Sequence, residues 1–550
     1  MIMHGRSSSQ EIRIEPRFRL SRPANRRSGK SGIALASLRF TLALSALILF
    51  ATSSSRGQSR WVHLGSDGKL VYAYTAKGDR IPDFSYAGYE GGGVALPEVP
   101  VKRTVKPSGA DDTEAIQSAI AAVSSLPVVN GFRGAVELAA GDFHCAQTIS
   151  IAASGVALRG AGDDEKGTTI QMTGPPHLGL RIAGQLQQTG AGPETYITDK
   201  YVPEGTSTIH LATSDGMHVG DLLLIQKPVT PAWVDFMGMD DLRRNGQPEH
   251  WIRSQYLDVR RQIAAIAGDT ITLTVPLTDD YDTRFFDGGF ALVSRIEVSG
   301  QISQVGVEGL RFVAPRRVIA LGEPAFGGVT IRGLTDGWLR RVALVNTTNG
   351  MSVDAGSERM TFLECSVVQE VAVTSSAKPA DFACNGSQIL FDRCTGSGDS
   401  TFYFVTQAGQ QGPVVLLHCR FLGNGRIEPH QRWSTGLLVD NCEVPGGGID
   451  LMNRGEMGSG HGWAIGWSVV WNSSAQELGM NQPPGSMIWS IGNRGDQTDP
   501  AFPVFDGGPQ RAPLMPATID SPGVPVKPDS LYLAQLRERL GERAVRNIGY

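Results

Sequence analysis

Between Glu428 and Trp471 the chain alternates apolar runs of four to six residues with polar, Gly-rich turns. Runs this short predict strands, with the chemistry displayed on the turns that join them. The same rhythm recurs upstream in WLRRVALV, TFLECSVV, ILFDRCTG and VLLHCRFL, and again in LLVDNCEV and VVWNSSAQ. Aligned, these segments put Val342, Cys365, Cys394, Cys419, Cys442 and Ser473 at one register, at spacings of 23, 29, 25, 23 and 31 residues. Stacked coils of a solenoid take roughly 20–30 residues each and set like residues above one another. Four of the six Cys therefore form an inward ladder and are read as buried free thiols.

Helical periodicity enters at two places. In KPSGADDTEAIQSAIAAV, from Lys106 to Val123, Ile116, Ala119, Ile120 and Val123 share one face, and Asp112 or Thr113 stands at the cap position. Near the other end, Leu531, Leu533, Leu536 and Leu540 mark an amphipathic helix expected to pack on the end of the solenoid or its flank. Residues 203–290 break the coil rhythm. Their STIHLATSDGMHVGDLLLIQK and RQIAAIAGDTITLTVPL read as antiparallel hairpins with V-G-D and A-G-D turns.

The order of GADDT, a helix, then GAVELAAGDFHCAQTISI and GVALRGAG resembles the N-terminal region of the pectate-lyase superfamily. That resemblance, over roughly residues 100–495, implies an all-β right-handed parallel β-helix with an N-terminal capping helix. It does not imply one activity, because lyases, hydrolases, epimerases and phage tailspikes share the signature. The segments PHQRWSTGLLVDN, NRGEMGSGHGW and QPPGSMIWSIG look like a bacterial secreted group of that superfamily with no assigned activity. The Asp clusters and R-x-P-x-x-R motif of true pectate lyases are not matched, which counts against pectate itself.

Composition narrows the partners. With 550 residues, 41% hydrophobic and 19% charged, the chain has material for a large core, and its formal charge of −4 leaves no footprint for nucleic acid. Residues 1–39 are basic, and Phe40 to Thr52 is an apolar run too short to span a bilayer comfortably. This reads as a signal peptide with small residues Ala51 to Ser55 at the cleavage zone, or as an uncleaved anchor, the one route to a membrane. Arg26-Arg27 is too far from the run for a twin-arginine signal. A secreted, periplasmic or surface location follows. The divisions are 1–58 (basic N-terminus and export segment), 59–105 (extension), 106–202 (first coils), 203–290 (insertion), 291–498 (main coils) and 499–550 (Pro-rich tail and helix).

Counting twelve residues back from Cys419, Cys442 and Ser473 gives Gln407, His430 and His461, and thirteen back from Cys394 gives Asp381. With coils stacked about 4.8 Å apart, these four are expected to form a polar column. Arg432 and Arg454 are the nearby guanidiniums, and Glu428 and Glu456 supply carboxylates. Trp433 and Trp463 are placed to stack on sugar faces. Glu443 is expected to face solvent, and Trp467 and Trp471 to fill core. His250, Arg243, Arg244 and Arg253 read as a solvated face of the insertion. No metal is assigned: zinc lacks any tight His-x-x-x-His or Cys-x-x-Cys spacing. Calcium, which several relatives of the fold use to hold uronate carboxylates, would need an acidic cluster, and the acidic candidates are scattered.

Arg forks beside Trp faces suit an anionic polysaccharide. The expectation is a secreted carbohydrate-active enzyme cleaving a uronate-containing polymer by β-elimination. Arg432 or Arg454 would neutralise the carboxylate, with His430 or His461 as base. Two alternatives stand beside it: hydrolysis by paired carboxylates drawn from Glu428, Glu456 and Asp381, and a non-catalytic glycan-binding surface protein.

Overall fold

The computed structural model describes residues 57–320, 322–371, 380–505 and 511–550. The basic N-terminus and the apolar run Phe40 to Thr52 lie outside the described residues. Among the described residues no helix is long and apolar enough to cross a membrane.

Three parallel ladders wind around one apolar core as a parallel β-helix. The first ladder stacks Leu178–Ala183, Gly327–Arg332, Asn349–Val353, Ala380–Cys384, Phe402–Thr406 and Arg426–Ile427. The second stacks Glu358–Leu363, Ser387–Asp392, Gln411–Leu417, Ser434–Asp440 and Ser468–Trp471. The third includes Ser366–Val368, Thr395–Ser397 and Arg420–Leu422. Inward positions alternate with outward ones along each strand, which is why the apolar runs are short and the turns polar.

The register Leu363↔Asp392↔Leu417↔Asp440↔Trp471 sets Cys365, Cys394, Cys419, Cys442 and Ser473 in line two residues later. Backbone bonds follow the line, from Thr395 N to Cys365 O (2.9 Å), Arg420 N to Cys394 O (3.0 Å) and Glu443 N to Cys419 O (2.9 Å). All six Cys are buried and free. Burial pushes the Cys145 and Cys384 thiols up to about 12. Before each ladder position sits a residue in the left-handed region: Arg341, Glu364, Arg393, His418, Asn441 and Asn472, with φ of 48–55°. One such residue turns the chain from the second ladder into the third.

The capping helix spans Thr113–Ser124 and buries Ile116, Ile120 and Val123. Asp112 occupies its N-cap position, but its carboxylate accepts from Ser108 N (2.9 Å) and His144 N (3.1 Å) rather than from the helix. It fastens the GADDT loop to the first coils. The second helix, Leu531–Leu540, lies on the flank. It joins a cluster with the outward residues Leu390, Val415, Leu438 and Val469 of the second ladder. Its cap Ser530 donates to Asp440 (2.7 Å), which also accepts from Tyr532 N (2.8 Å).

The insertion is one antiparallel sheet. Its strand order is Gln187–Tyr196, Leu292–Ser299, Leu222–Pro228, Tyr256–Ala267, Thr270–Leu273, Thr208–His210. It thus takes in a strand on either side of the 203–290 stretch, because Gln187–Tyr196 and Leu292–Ser299 pair with each other where the chain leaves and rejoins the solenoid. The sheet is anchored to the coils through indoles. Trp233 and Trp251, from the insertion, pack at 5.6 and 6.0 Å from Trp433. Trp251 donates to Trp463 O (3.2 Å) and Trp463 to Met237 O (3.0 Å). Beneath them the buried Lys227 ammonium bridges Asp279 (3.0 Å) and Asp280 (3.3 Å), and the Trp433 indole donates to Asp279 (2.9 Å).

Candidate functional site

The outward edge of the first ladder carries a polar column. The pairs Ala183↔Arg332, Val353↔Cys384 and Cys384↔Thr406 set Arg332, Asp354, Asn385 and Gln407 side by side in successive coils. His430 continues it, its N–H donating to Thr406 O (3.1 Å) and its Nδ1 lying 3.1 Å from Gln407 Oε1. An amide oxygen only accepts, so Nδ1 carries the proton and Nε2 keeps a free lone pair.

His461 reaches the column by another route. Continuing the register Ile427↔Ile449 sets Met452, not His461, beside His430. From Asn453 the chain makes an excursion closed by the antiparallel bridge Asn453↔Trp463. His461 hangs from that excursion, its ring centroid 4.7 Å from that of His430 and nearly perpendicular to it. Gly458 lies so close that a Cβ there would stand 2.2 Å from His461 Nε2. Both imidazoles are held neutral. Burial first, then the Arg454 and Arg432 charges, bring His430 down to about 4. Burial, Arg454 and His430 bring His461 down to about 3.

The two guanidiniums differ. Arg454 is spoken for: its Nε pairs with Glu428 (2.9 Å), its Nη1 donates to His430 O (2.9 Å), and it lies over the Phe402 ring. Arg432 is 8% exposed, yet its acceptors are neutral: Ser459 O (2.8 Å), Ser459 Oγ (2.9 Å) and the Gln431 amide oxygen. Among the described residues it makes no ion pair, and its Nε has no partner.

Four expected site residues stand elsewhere than in an open column. Asp381 is fully buried inside the coils, accepting from Gln369 and Thr401 (3.3 Å each), and desolvation raises it well above the usual carboxylate range. Asn385 occupies the position expected for it. Glu456 accepts from Phe505 N (2.6 Å) and so holds the tail segment rather than facing Glu428. Trp433 and Trp463, 1% and 2% exposed, are covered by the insertion and offer no face to a sugar. Trp467 and Trp471 are buried as expected, and Glu443 is exposed and paired with Arg420 (3.2 Å). On the insertion Arg243, His250 and Arg253 are exposed, whereas Arg244 lies half-buried over the Phe505 ring and adds its charge at His461. Among the described residues no group of three or more His, Cys, Asp or Glu is placed to hold a metal ion.

Between the first ladder and the insertion runs a trench. The break in coil rhythm at 203–290 marks the insertion as a candidate groove wall, and it borders the trench. One part, about 410 Å³, lies between the insertion residues Tyr256–Arg261 and the turns bearing Asn385, Gln410 and Gln411. Another, about 550 Å³, is lined by Arg181, Gln185, Gln187, Arg332 and Asp354. Leu186 lines both. The trench ends at Asn385 and at the turn of residues 408–411, next along the chain from Gln407, where Gly409 N bonds Arg432 O (3.0 Å).

No family model matches the chain, and no curated protein does. Among solved structures it is similar to polygalacturonase from Erwinia carotovora ssp. carotovora, at 12% identity over 74% of this chain and 95% of that one, with a TM-score of 0.35. It is similar to the tailspike of E. coli bacteriophage HK620 in complex with a pentasaccharide, at 11% identity over 72% and 55%, TM-score 0.37. A third likeness is to PfbA, a surface adhesin of Streptococcus pneumoniae, at 10% identity over 72% and 86%, TM-score 0.32.

Proposed function

We propose that this protein binds an anionic polysaccharide along the trench and cleaves it by β-elimination. The observation that carries the reading is Arg432, a buried guanidinium beside an imidazole that is neutral with Nε2 free. Among the described residues it bonds only neutral acceptors, with the opposed charges of Arg253 and Glu249 further off. Buried charges are ordinarily paired, so a cation left with neutral partners is suited to an incoming anion. A uronate carboxylate on Arg432 would lose its negative charge to the fork, which acidifies the proton at C5. His430 Nε2 takes that proton. The electron pair forms the C4–C5 double bond and expels the C4 oxygen, which receives the proton back from the imidazolium. Gln407 fixes the ring throughout. Paired-carboxylate hydrolysis finds less support, since Glu428 is bound to Arg454, Glu456 to Phe505 N, and Asp381 lies in the core.

The test is incubation with a panel of uronate polymers, following the ultraviolet absorbance of the unsaturated product. Its appearance, and its loss in Arg432→Gln, is the expected result. Reducing ends released without that absorbance would overturn elimination in favour of hydrolysis. Binding with neither product would reduce the protein to a glycan-binding surface.

A further inference from the structure

The far end of the trench carries two more guanidiniums that no ion pair explains. Arg181 and Arg332 stand on adjacent coils of the first ladder, in the register Arg181↔Thr330 and Ala183↔Arg332. Ile182 and Ile331, their chain neighbours, are wholly buried in the core, so both Arg side chains leave by the outward face, diagonal to each other. Both are exposed, and among the described residues neither makes an ion pair. They line the part of the trench of about 550 Å³, opposite Gln185 and Gln187, where the chain enters the inserted sheet. The neighbouring acid, Asp354, is half-buried there. Burial raises its carboxyl against the lowering charge of Arg332, with which it makes no direct ion pair among the described residues.

We propose that Arg181 and Arg332 form a second anion subsite, which takes a carboxylate or sulfate of the same polymer that Arg432 engages. Four coil steps, Arg332, Asp354, Asn385, Gln407 and His430, separate the two ends. At ~4.8 Å per coil this is about 19 Å. Between them the half-buried amide of Asn385 lines the trench as a neutral donor and acceptor suited to hydroxyls. The subsite thus sets a minimum length and a second charged residue for the ligand. The inference rests on the proposed function for the identity of the ligand, but it is tested by binding rather than by cleavage.

The experiment is calorimetric titration of the wild-type chain and of Arg181→Gln/Arg332→Gln with oligoglucuronates, oligomannuronates and oligogalacturonates of increasing length, with neutral dextran oligomers, and with sodium sulfate. The expected result is affinity that rises with length in the wild type and falls about tenfold in the double variant for the longest oligomers. The difference should narrow as they shorten, and Arg181→Lys/Arg332→Lys should restore most of it. Equal affinity of wild type and double variant for long oligomers would overturn the subsite. So would a loss reproduced in full by sulfate alone, which marks a small-anion site, or wild-type binding of neutral and anionic oligomers alike. Weakened binding in the double variant, with no unsaturated product from any polymer, would leave the subsite standing and overturn the elimination reading only.

Discussion

At the scale of single residues, the site is defined by which polar groups are already satisfied. Arg454 and Glu428 satisfy each other, whereas Arg432 and the Nε2 of His430 do not. The pH dependence follows. His430 is depressed, so it stays unprotonated and competent as a base until the pH falls to about 4. For elimination, kcat/KM measured against pH should show an acid limb near that value rather than near 6.5. Arg432→Gln removes one of the cations that hold the imidazole neutral, so its residual activity should show the limb displaced upward. A limb unmoved in that variant would dissociate Arg432 from the base. How much of this was legible in the chain depended on turn lengths. Counting twelve residues back from Cys419 and Cys442 finds Gln407 and His430, because those two coils have turns of equal length. The same count fails at Cys394. From Cys384 to Ile389 the chain takes five residues, where Thr406 to Val414, its stacked counterpart, takes eight. That difference of three moves the twelve-residue position from Phe382 to Asn385, and the count of thirteen used there stops at Asp381. His461 arrived at the right place by an excursion that no periodicity encodes.

At the scale of elements, the Cys ladder is the best-encoded part of the fold. Strand residues repeat in kind because each must fill the same volume one coil higher, and four thiols aligned in the sequence are aligned in space. Since all six are buried, the native chain should leave an aromatic disulfide reagent unreacted, and six equivalents should be released on denaturation. Thiolate release from the folded protein, read by absorbance, would show a coil that opens. The Trp residues taught the reverse. Their spacing marked Trp433 and Trp463 as notable without revealing that an insertion two hundred residues upstream covers them. A solvent-facing ring and a docked one are indistinguishable until Trp233 and Trp251 of the insertion are placed.

At the scale of the molecule, one wall of the trench is solenoid and the other is the inserted sheet, so the site depends on how firmly the sheet is docked. Lys227 is the test of that joint. Buried with Asp279 and Asp280 under the indole cluster, it is the cation that permits two carboxylates there. Lys227→Met should cost about 3–5 kcal/mol, seen as a lowered thermal midpoint, because it strands their charge. The loss should shrink on acidification as the Asp279 carboxyl, which burial raises to about 6, takes up a proton; a loss independent of pH would assign the effect to packing. The left-handed residue that closes each coil carries a separate consequence. Arg341, Glu364 and Arg393 have little intrinsic taste for that geometry, which disfavours L residues by roughly 1–2 kcal/mol. At those three coils the bend is supported by the neighbouring coil rather than by the residue that makes it. Each such turn of the solenoid is thus held in part by the coil hydrogen-bonded to it, whereas the turns at Asn441 and Asn472 suit their residue.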